Sequence, residues 1–416
     1  MNKILKKAGY ALVTMTMLNA FVACNSSDEP KSDPPPSDLE LRGELTTERI
    51  LRAGNTYDLI GGYQVKEGGN LIIEEGVTIN ATRSIDGQPD YIIVEQGGKI
   101  NANGTKEKPI VMTSIRYPQP GAWGGVHICG KAPVNLSGGT GKSEIGDATF
   151  GGSIANDNSG SMRYVRLEYT GFAFSETKES NGLTMYGVGN GTTIEYIQTY
   201  KGADDGFEWF GGTVNGKYLI STHSEDDSFD WTDGWIGKGQ FWVAIQDQTA
   251  PDADGTANGD CLIEADNRED NFANLPQSCP TLSNLTLIGN NDTNNQKRGI
   301  RLRAGTAVKL YNTLLKGKPE SVTIATAETA NSFLNGTSSI EHLWIEKAFK
   351  YESVSDLGLE AKTGNAINAT INFTNGYVGT LAGGKDMSTE DSFFTATNYK
   401  GAVPANNDWT AGWTRR

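Results

Sequence analysis

Histidine is almost missing from this chain. Only His127, His223 and His342 occur in 416 residues, and no Cys/His spacing among them suggests zinc. A basic excess is missing as well: 36 Lys and Arg stand against 50 Asp and Glu, a formal charge of −14. Nucleic acid needs Lys and Arg clustered against phosphate, so that partner class is excluded. A basic membrane-binding face is excluded with it. No apolar run is long and pure enough for a bilayer span, and no amphipathic helix of useful length follows the opening segment. No Ser-His-Asp spacing, nucleophile elbow or phosphate loop stands out. Gly138-Gly139-Thr140-Gly141-Lys142-Ser143 lacks the glycine spacing and following helix of a phosphate loop, and reads as part of a disordered insert. Cysteine is confined to four positions, Cys24, Cys129, Cys261 and Cys279.

What is present begins with an export address. Lys3, Lys6 and Lys7 precede an apolar stretch from Ala8 to Ala23, and Cys24 follows at once. A basic start, a short apolar run and small residues before a cut make a secretory signal. With cysteine at the cut, the segment resembles a bacterial lipoprotein signal, although Phe21 stands where Leu is usual. The resemblance implies a covalent lipid on Cys24 as the mature N-terminus. Asn25-Ser26-Ser27-Asp28-Glu29 resembles the acidic tag that sends Bacteroidota lipoproteins to the outer face of the outer membrane. The proline-rich stretch from Pro30 to Ser37 cannot bury apolar surface and reads as a tether. The expected organisation is a signal peptide over 1–23, a lipidated and flexible segment over 24–40, and one β-domain over 41–416. Losing the three signal lysines takes the formal charge to about −17.

Glycine is the residue in excess: 51 of 416 is about 12%, against a usual ~7%. With no collagen triplet, glycine between short β-rich runs means many tight turns. Such runs recur at Leu71–Ile73, Tyr91–Val94, Pro109–Met112, Tyr164–Leu167 and Asn284–Ile288. In the middle the repeat is explicit. Ala203-Asp204-Asp205-Gly206-Phe207-Glu208-Trp209 is followed, 22 residues on, by Glu225-Asp226-Asp227-Ser228-Phe229-Asp230-Trp231. A period in the low twenties built of strands predicts one coil of a parallel β-solenoid. Alternation turns Phe207, Trp209, Phe229 and Trp231 inward, and stacks Glu208 on Asp230 outside, about 4.8 Å apart. The outer column is expected to run Thr184, Glu208, Asp230, Arg301.

Three further segments carry a family resemblance: Ala102–Val111 with Pro120–Val126, Asn181–Thr184 with Gly189–Tyr196, and Gly401–Val403 with Asp408–Trp413. Together they resemble a family of outer-membrane lipoproteins of Bacteroidota and spirochaetes. That resemblance implies an all-β fold, a right-handed single-stranded parallel β-helix, and a surface address without an assigned activity. Some members of the family lie beside TonB-dependent receptors, which implies a role in uptake.

The candidate site is the acidic column. Asp204, Asp205, Glu208, Asp226, Asp227 and Asp230 fall on two consecutive turns, with Asp233 close behind. Stacked like charges repel and raise their own pKa values unless something positive relieves them. Three readings fit: a turn column whose acids bond backbone N–H groups, a hard-cation site for Ca²⁺, or a catalytic set. Asp252-Ala253-Asp254-Gly255 opens like a calcium loop without completing it. Trp235 and Trp242 are candidates to stack a sugar ring, and Arg301 and Arg303 to meet its acidic groups or to pair with the acids. Cys261 and Cys279, 18 apart in an exported chain, suggest a local disulfide; Cys129 reads as a buried free thiol. The expected function is a surface-exposed lipoprotein that binds a ligand, a glycan or a receptor partner. The alternative is a Ca²⁺-dependent polysaccharide lyase or another glycan-degrading β-helix enzyme.

Overall fold

The computed structural model describes residues 38–82, 89–175, 178–247, 259–291 and 297–416. Cys24 and the Asp252–Gly255 string lie outside them. Among the described residues, 25 strands form one sheet paired in parallel throughout, and two antiparallel pairs stand apart from it. The chain is a parallel β-helix. No helix among the described residues is long and apolar enough to cross a membrane.

Each middle coil has one long bent strand and one short one. The long strands Gly160–Glu168, Thr193–Tyr200, Asn215–Thr222, Lys238–Ile245 and Thr281–Ile288 stack in register. Each bends at one left-handed residue: Tyr164, Tyr196, Tyr218, Phe241 and Asn284, with φ between 48° and 60°. The short strands Val126–Cys129, Leu183–Tyr186, Phe207–Phe210, Phe229–Thr232, Ile263–Ala265 and Arg298–Leu302 form the face that carries the acids.

The 22-residue register holds. Phe207 pairs with Phe229, Glu208 with Asp230 and Trp209 with Trp231. Phe207, Trp209 and Phe229 are fully buried, and the two phenyl rings stack at 5.3 Å between centroids. Gly206 is required in its turn, because a Cβ there would sit 2.5 Å from Ser221 Oγ.

Three expectations are corrected. Trp235 and Trp242 are fully buried. Their indole N–H groups donate to Val214 O and Gly216 O at 3.0 and 2.9 Å. Both rings stack against Trp209, so neither offers a sugar platform. Cys261 and Cys279 are separate free thiols. The Cys261 N–H is held by Asp227 on the acidic side, whereas the Cys279 N–H donates to Trp235 O. The segment around Gly138–Ser143 is ordered. Thr140–Lys142 and Thr149–Gly151 pair as an antiparallel hairpin, pinned by buried Ile145, Ala148 and Phe150. Cys129 is a buried free thiol, as expected.

Candidate cation and ligand site

The acidic face is a set of aligned turns. Gly182 N–H donates to Asp205 O, Gly206 N–H to Asp227 O, and Ser228 N–H to Cys261 O. Asn181, Asp205, Asp227 and Cys261 therefore occupy equivalent places just ahead of the strands. On the strands themselves the outward column reads His127, Thr184, Glu208, Asp230, Glu264, Arg301. The sequence-derived column is thus corrected by one rung: Glu264 stands between Asp230 and Arg301. Ile263-Glu264-Ala265 continues the apolar-acid-apolar pattern of Phe207-Glu208-Trp209 and Phe229-Asp230-Trp231. The signal was there, offset by a longer sequence spacing of 34 residues from Asp230.

All six predicted acids come together. Asp204, Asp205, Glu208, Asp226, Asp227 and Asp230 line one trough of about 240 Å³, with Glu144, Glu179, Glu264 and Asn181. Glu144 reaches it from the hairpin that had read as disordered. Among the described residues, no Lys or Arg lines this trough. Burial first, and then the neighbouring carboxylates, push the acids up: Asp204 to about 8, with Asp226 the nearest offender, and Asp226 to about 6, with Asp260. Asp205, Glu208, Asp227 and Asp230 are driven well above the ordinary carboxylate range by the same two causes.

Part of the turn reading is correct. Asp205 Oδ1 accepts the Asp227 N–H at 2.9 Å, and Asp227 Oδ1 accepts the Cys261 N–H. That occupies one oxygen of each acid. Asn181 donates its side-chain N–H to Glu208 Oε2. Asp230 Oδ1 is shielded from solvent and has no hydrogen-bond partner among the described residues.

The donor set suits a hard cation. One oxygen each from Asp205, Glu208 and Asp230 lie within 4.8 Å of one another, and so do one each from Asp204, Asp205 and Asp226. Ligands at ~2.3–2.6 Å from a shared Ca²⁺ can be no more than about 5 Å apart. Oxygen-only donors carrying several negative charges are what Ca²⁺ takes.

Beside the trough opens a larger cleft of about 700 Å³, and Glu144, Glu208 and Asp230 line both. One part of its lining is apolar, from Leu136, Phe150, Tyr186 and Phe210; the Tyr186 and Phe210 rings stack at 4.6 Å. Another part is ion-paired. Arg268 bridges Asp233 and Asp270. Arg303 meets Glu264 and Glu269 at 2.9 Å and Asp266 at 2.8 Å. Arg301 meets Glu264 at 3.0 Å. Both predicted arginines thus sit at the end of the acidic column, committed to its acids. Phe210, absent from the expected set, is the half-buried ring that this cleft offers.

Compared with known proteins, residues 43–414 match the family described as a pectate-lyase-like β-helix domain. Neither the curated proteins nor the solved structures gave a match. With nearly the whole β-helix covered, the chain belongs to the pectate-lyase-like β-helix domain family.

Proposed function

We propose that the protein is a glycan-binding lipoprotein of the outer-membrane surface, held by a lipid on Cys24 and serving a TonB-dependent uptake system. Its acidic trough binds Ca²⁺, and the adjoining cleft receives a hydroxyl-rich chain. The observation that carries this reading is the trough itself: among the described residues, nine carboxylate side chains and no basic one around about 240 Å³. Repulsion between such groups is on the order of a few kcal/mol per close pair at an effective dielectric near 20, and a bound cation removes it. Half-buried Phe210 supplies an apolar face for a sugar ring, and the carboxylates beside it accept its hydroxyls.

Calorimetric titration with neutral and acidic oligosaccharides tests the reading. Binding with Ca²⁺ present and loss of binding in EDTA support it; no heat with any glycan in either condition ends it. The anchor is tested separately by labelled palmitate, which should enter the wild type and not Cys24→Ala.

A second reading, a Ca²⁺-dependent polysaccharide lyase, is favoured by family membership. There the trough would hold Ca²⁺ against a uronate carboxylate and acidify the adjacent C–H bond. Incubation with acidic polysaccharides separates the two: rising absorbance from unsaturated products assigns the enzyme, and a flat trace with measurable binding assigns the binder.

A further inference from the structure

A third cavity opens beyond the cleft. It holds about 500 Å³ and shares Leu136, Ser137, Arg268 and Asp270 with the cleft of about 700 Å³. Asn135, Asn271, Asn274 and Leu275 complete its lining. The segment that carries the hairpin contributes to all three cavities: Glu144 to the trough, Leu136 and Phe150 to the cleft, and Asn135 to the third pocket. Trough, cleft and pocket are therefore joined chambers of one groove. A cavity of ~300–1,000 Å³ suits one drug-sized ligand, so two such chambers side by side fit a chain rather than a single sugar.

The pocket is built on asparagine. Asn135 is 3% exposed. Its Nδ2 donates to Asn267 Oδ1 at 2.9 Å and to Asn267 O at 3.1 Å. Asn274 Nδ2 donates to Asn135 O at 3.0 Å, and Asn267 Nδ2 to Asn274 O at 2.9 Å. These bonds tie the two walls together and hold the pocket's shape in advance, which lowers the ordering cost of binding. They leave one group over. Asn135 Oδ1 is buried and accepts no hydrogen bond among the described residues. Turning the amide over does not cure this, because Oδ1 would then face the two Asn267 oxygens. A buried acceptor without a donor is destabilising, and a ligand hydroxyl removes the deficit.

We propose that this pocket is a subsite for an uncharged sugar residue, and that the groove takes a neutral oligosaccharide spanning cleft and pocket. The inference rests on the glycan reading of the cleft and adds length and charge to it. Among the described residues, Arg268 is the one basic side chain that lines the pocket, and it is already shared between Asp233 and Asp270. An acidic sugar would meet the Asp270 carboxylate and no uncommitted cation, whereas a neutral one meets amides and a hydroxyl. Leu275, 79% exposed, and half-buried Leu136 offer apolar surface to its C–H groups.

Calorimetric titration in Ca²⁺ tests it, with disaccharides and hexasaccharides of the cello, manno, xylo and N-acetylchito series and with oligogalacturonates of the same lengths. A neutral hexasaccharide should bind wild type roughly tenfold or more tighter than its disaccharide, and oligogalacturonates should show no such gain. Asn271→Ala combined with Leu275→Ala alters two exposed side chains that line this pocket and not the cleft. The double variant should lose the gain with length, and an unshifted melting temperature shows that it is folded. Should it melt lower, the length and charge dependence of the wild type decides. Equal binding of disaccharide and hexasaccharide, a gain kept in the folded double variant, or a gain as large for oligogalacturonates overturns the subsite and leaves the glycan reading of the cleft standing. No heat with any of these sugars ends that reading, and the subsite with it.

Discussion

Asp205 Oδ1 accepts the backbone N–H of Asp227, one full coil further along the chain, at 2.9 Å. The bond explains why a column of repelling acids survives in the fold. Asp205 and Asp227 each cap the next turn with one oxygen, where a buried unpaired N–H would otherwise cost about 1–3 kcal/mol. An amide oxygen can do the same capping without the charge. Asp205→Asn combined with Asp227→Asn should therefore leave the coil intact and raise the metal-free melting temperature by a few degrees. The double variant should also lose the rise that millimolar Ca²⁺ gives wild type, since a ligand of the native state alone stabilises by mass action. Calorimetric melting with EDTA and with Ca²⁺ reads both. A double variant that melts lower than wild type in EDTA shows that the charges themselves stabilise.

The same acids set a pH dependence with a definite sign. Burial and neighbouring carboxylates raise Asp226 to about 6 and Asp204 to about 8, above the ~3.9 of an unfolded aspartate. The folded state therefore holds protons that the unfolded chain has lost. This contribution is fully present below about pH 4 and is lost as pH rises through the folded values. Metal-free protein should become less stable between pH 5 and 8, and Ca²⁺ should flatten the curve by replacing the protons. Urea midpoints measured across that range in EDTA check it; a midpoint that climbs with pH contradicts the raised values.

Phe229 tests the register from the inside. It is fully buried against Phe207 and Trp242. Phe229→Ala should cost about 3–5 kcal/mol, as other large-to-small core changes do. Chemical denaturation measures the loss, and a fully tolerated alanine is incompatible with this stack.

How much of this could be read in advance depends on local regularity. Between Asp204 and Trp231 two coils follow each other without insertion. Alternation then correctly places Phe207, Trp209, Phe229 and Trp231 inside and Glu208 and Asp230 outside. Glu264 escaped because 34 residues separate it from Asp230, against 22 between Glu208 and Asp230, and a fixed period cannot bridge that change. Trp242 escaped for another reason. Phe241, just before it, has φ near 60°, and such a corner resets which side chains face inward. Trp235 follows a turn at Asp233 and Gly234, where no strand alternation applies. The hairpin bearing Glu144 was hidden by its glycines. Its order comes from Phe150 and Ala148 packing beside distant Ile93, Cys129 and Tyr186, contacts that no local pattern announces.

The C-terminal segment makes the final prediction, because it covers a second aromatic column. Tyr164, Tyr196 and Tyr218 stack at 4.4 and 4.3 Å on the outer corner of the helix, and Phe241 continues the stack at 4.9 Å. Trp409 and Trp413 close over them edge-on. Trp413 is fully buried. Its carbonyl accepts from Arg166 at 2.9 Å, Gln198 holds Arg415 through two backbone bonds, and Arg415 reaches Glu168 at 2.9 Å. Burial raises the three tyrosines above their ordinary value of about 10. This segment adds to a coil stack that is hydrogen-bonded without it, so Trp413→Ala should release the strap and leave the coils closed. Truncating a buried Trp costs about 3–5 kcal/mol, enough to populate a released strap. The variant should be clipped between residues 404 and 416 by proteases that spare wild type. Its tyrosinate absorption should appear at lower pH in an alkaline titration, while the Ca²⁺-dependent melting shift stays. If Trp413→Ala resists clipping and titrates like wild type, polar anchors at Gln198 and Glu168 hold the strap without the indole. If the Ca²⁺ shift disappears with the strap, the two faces are coupled through the coils, and the strap contributes to the acidic site from the opposite side.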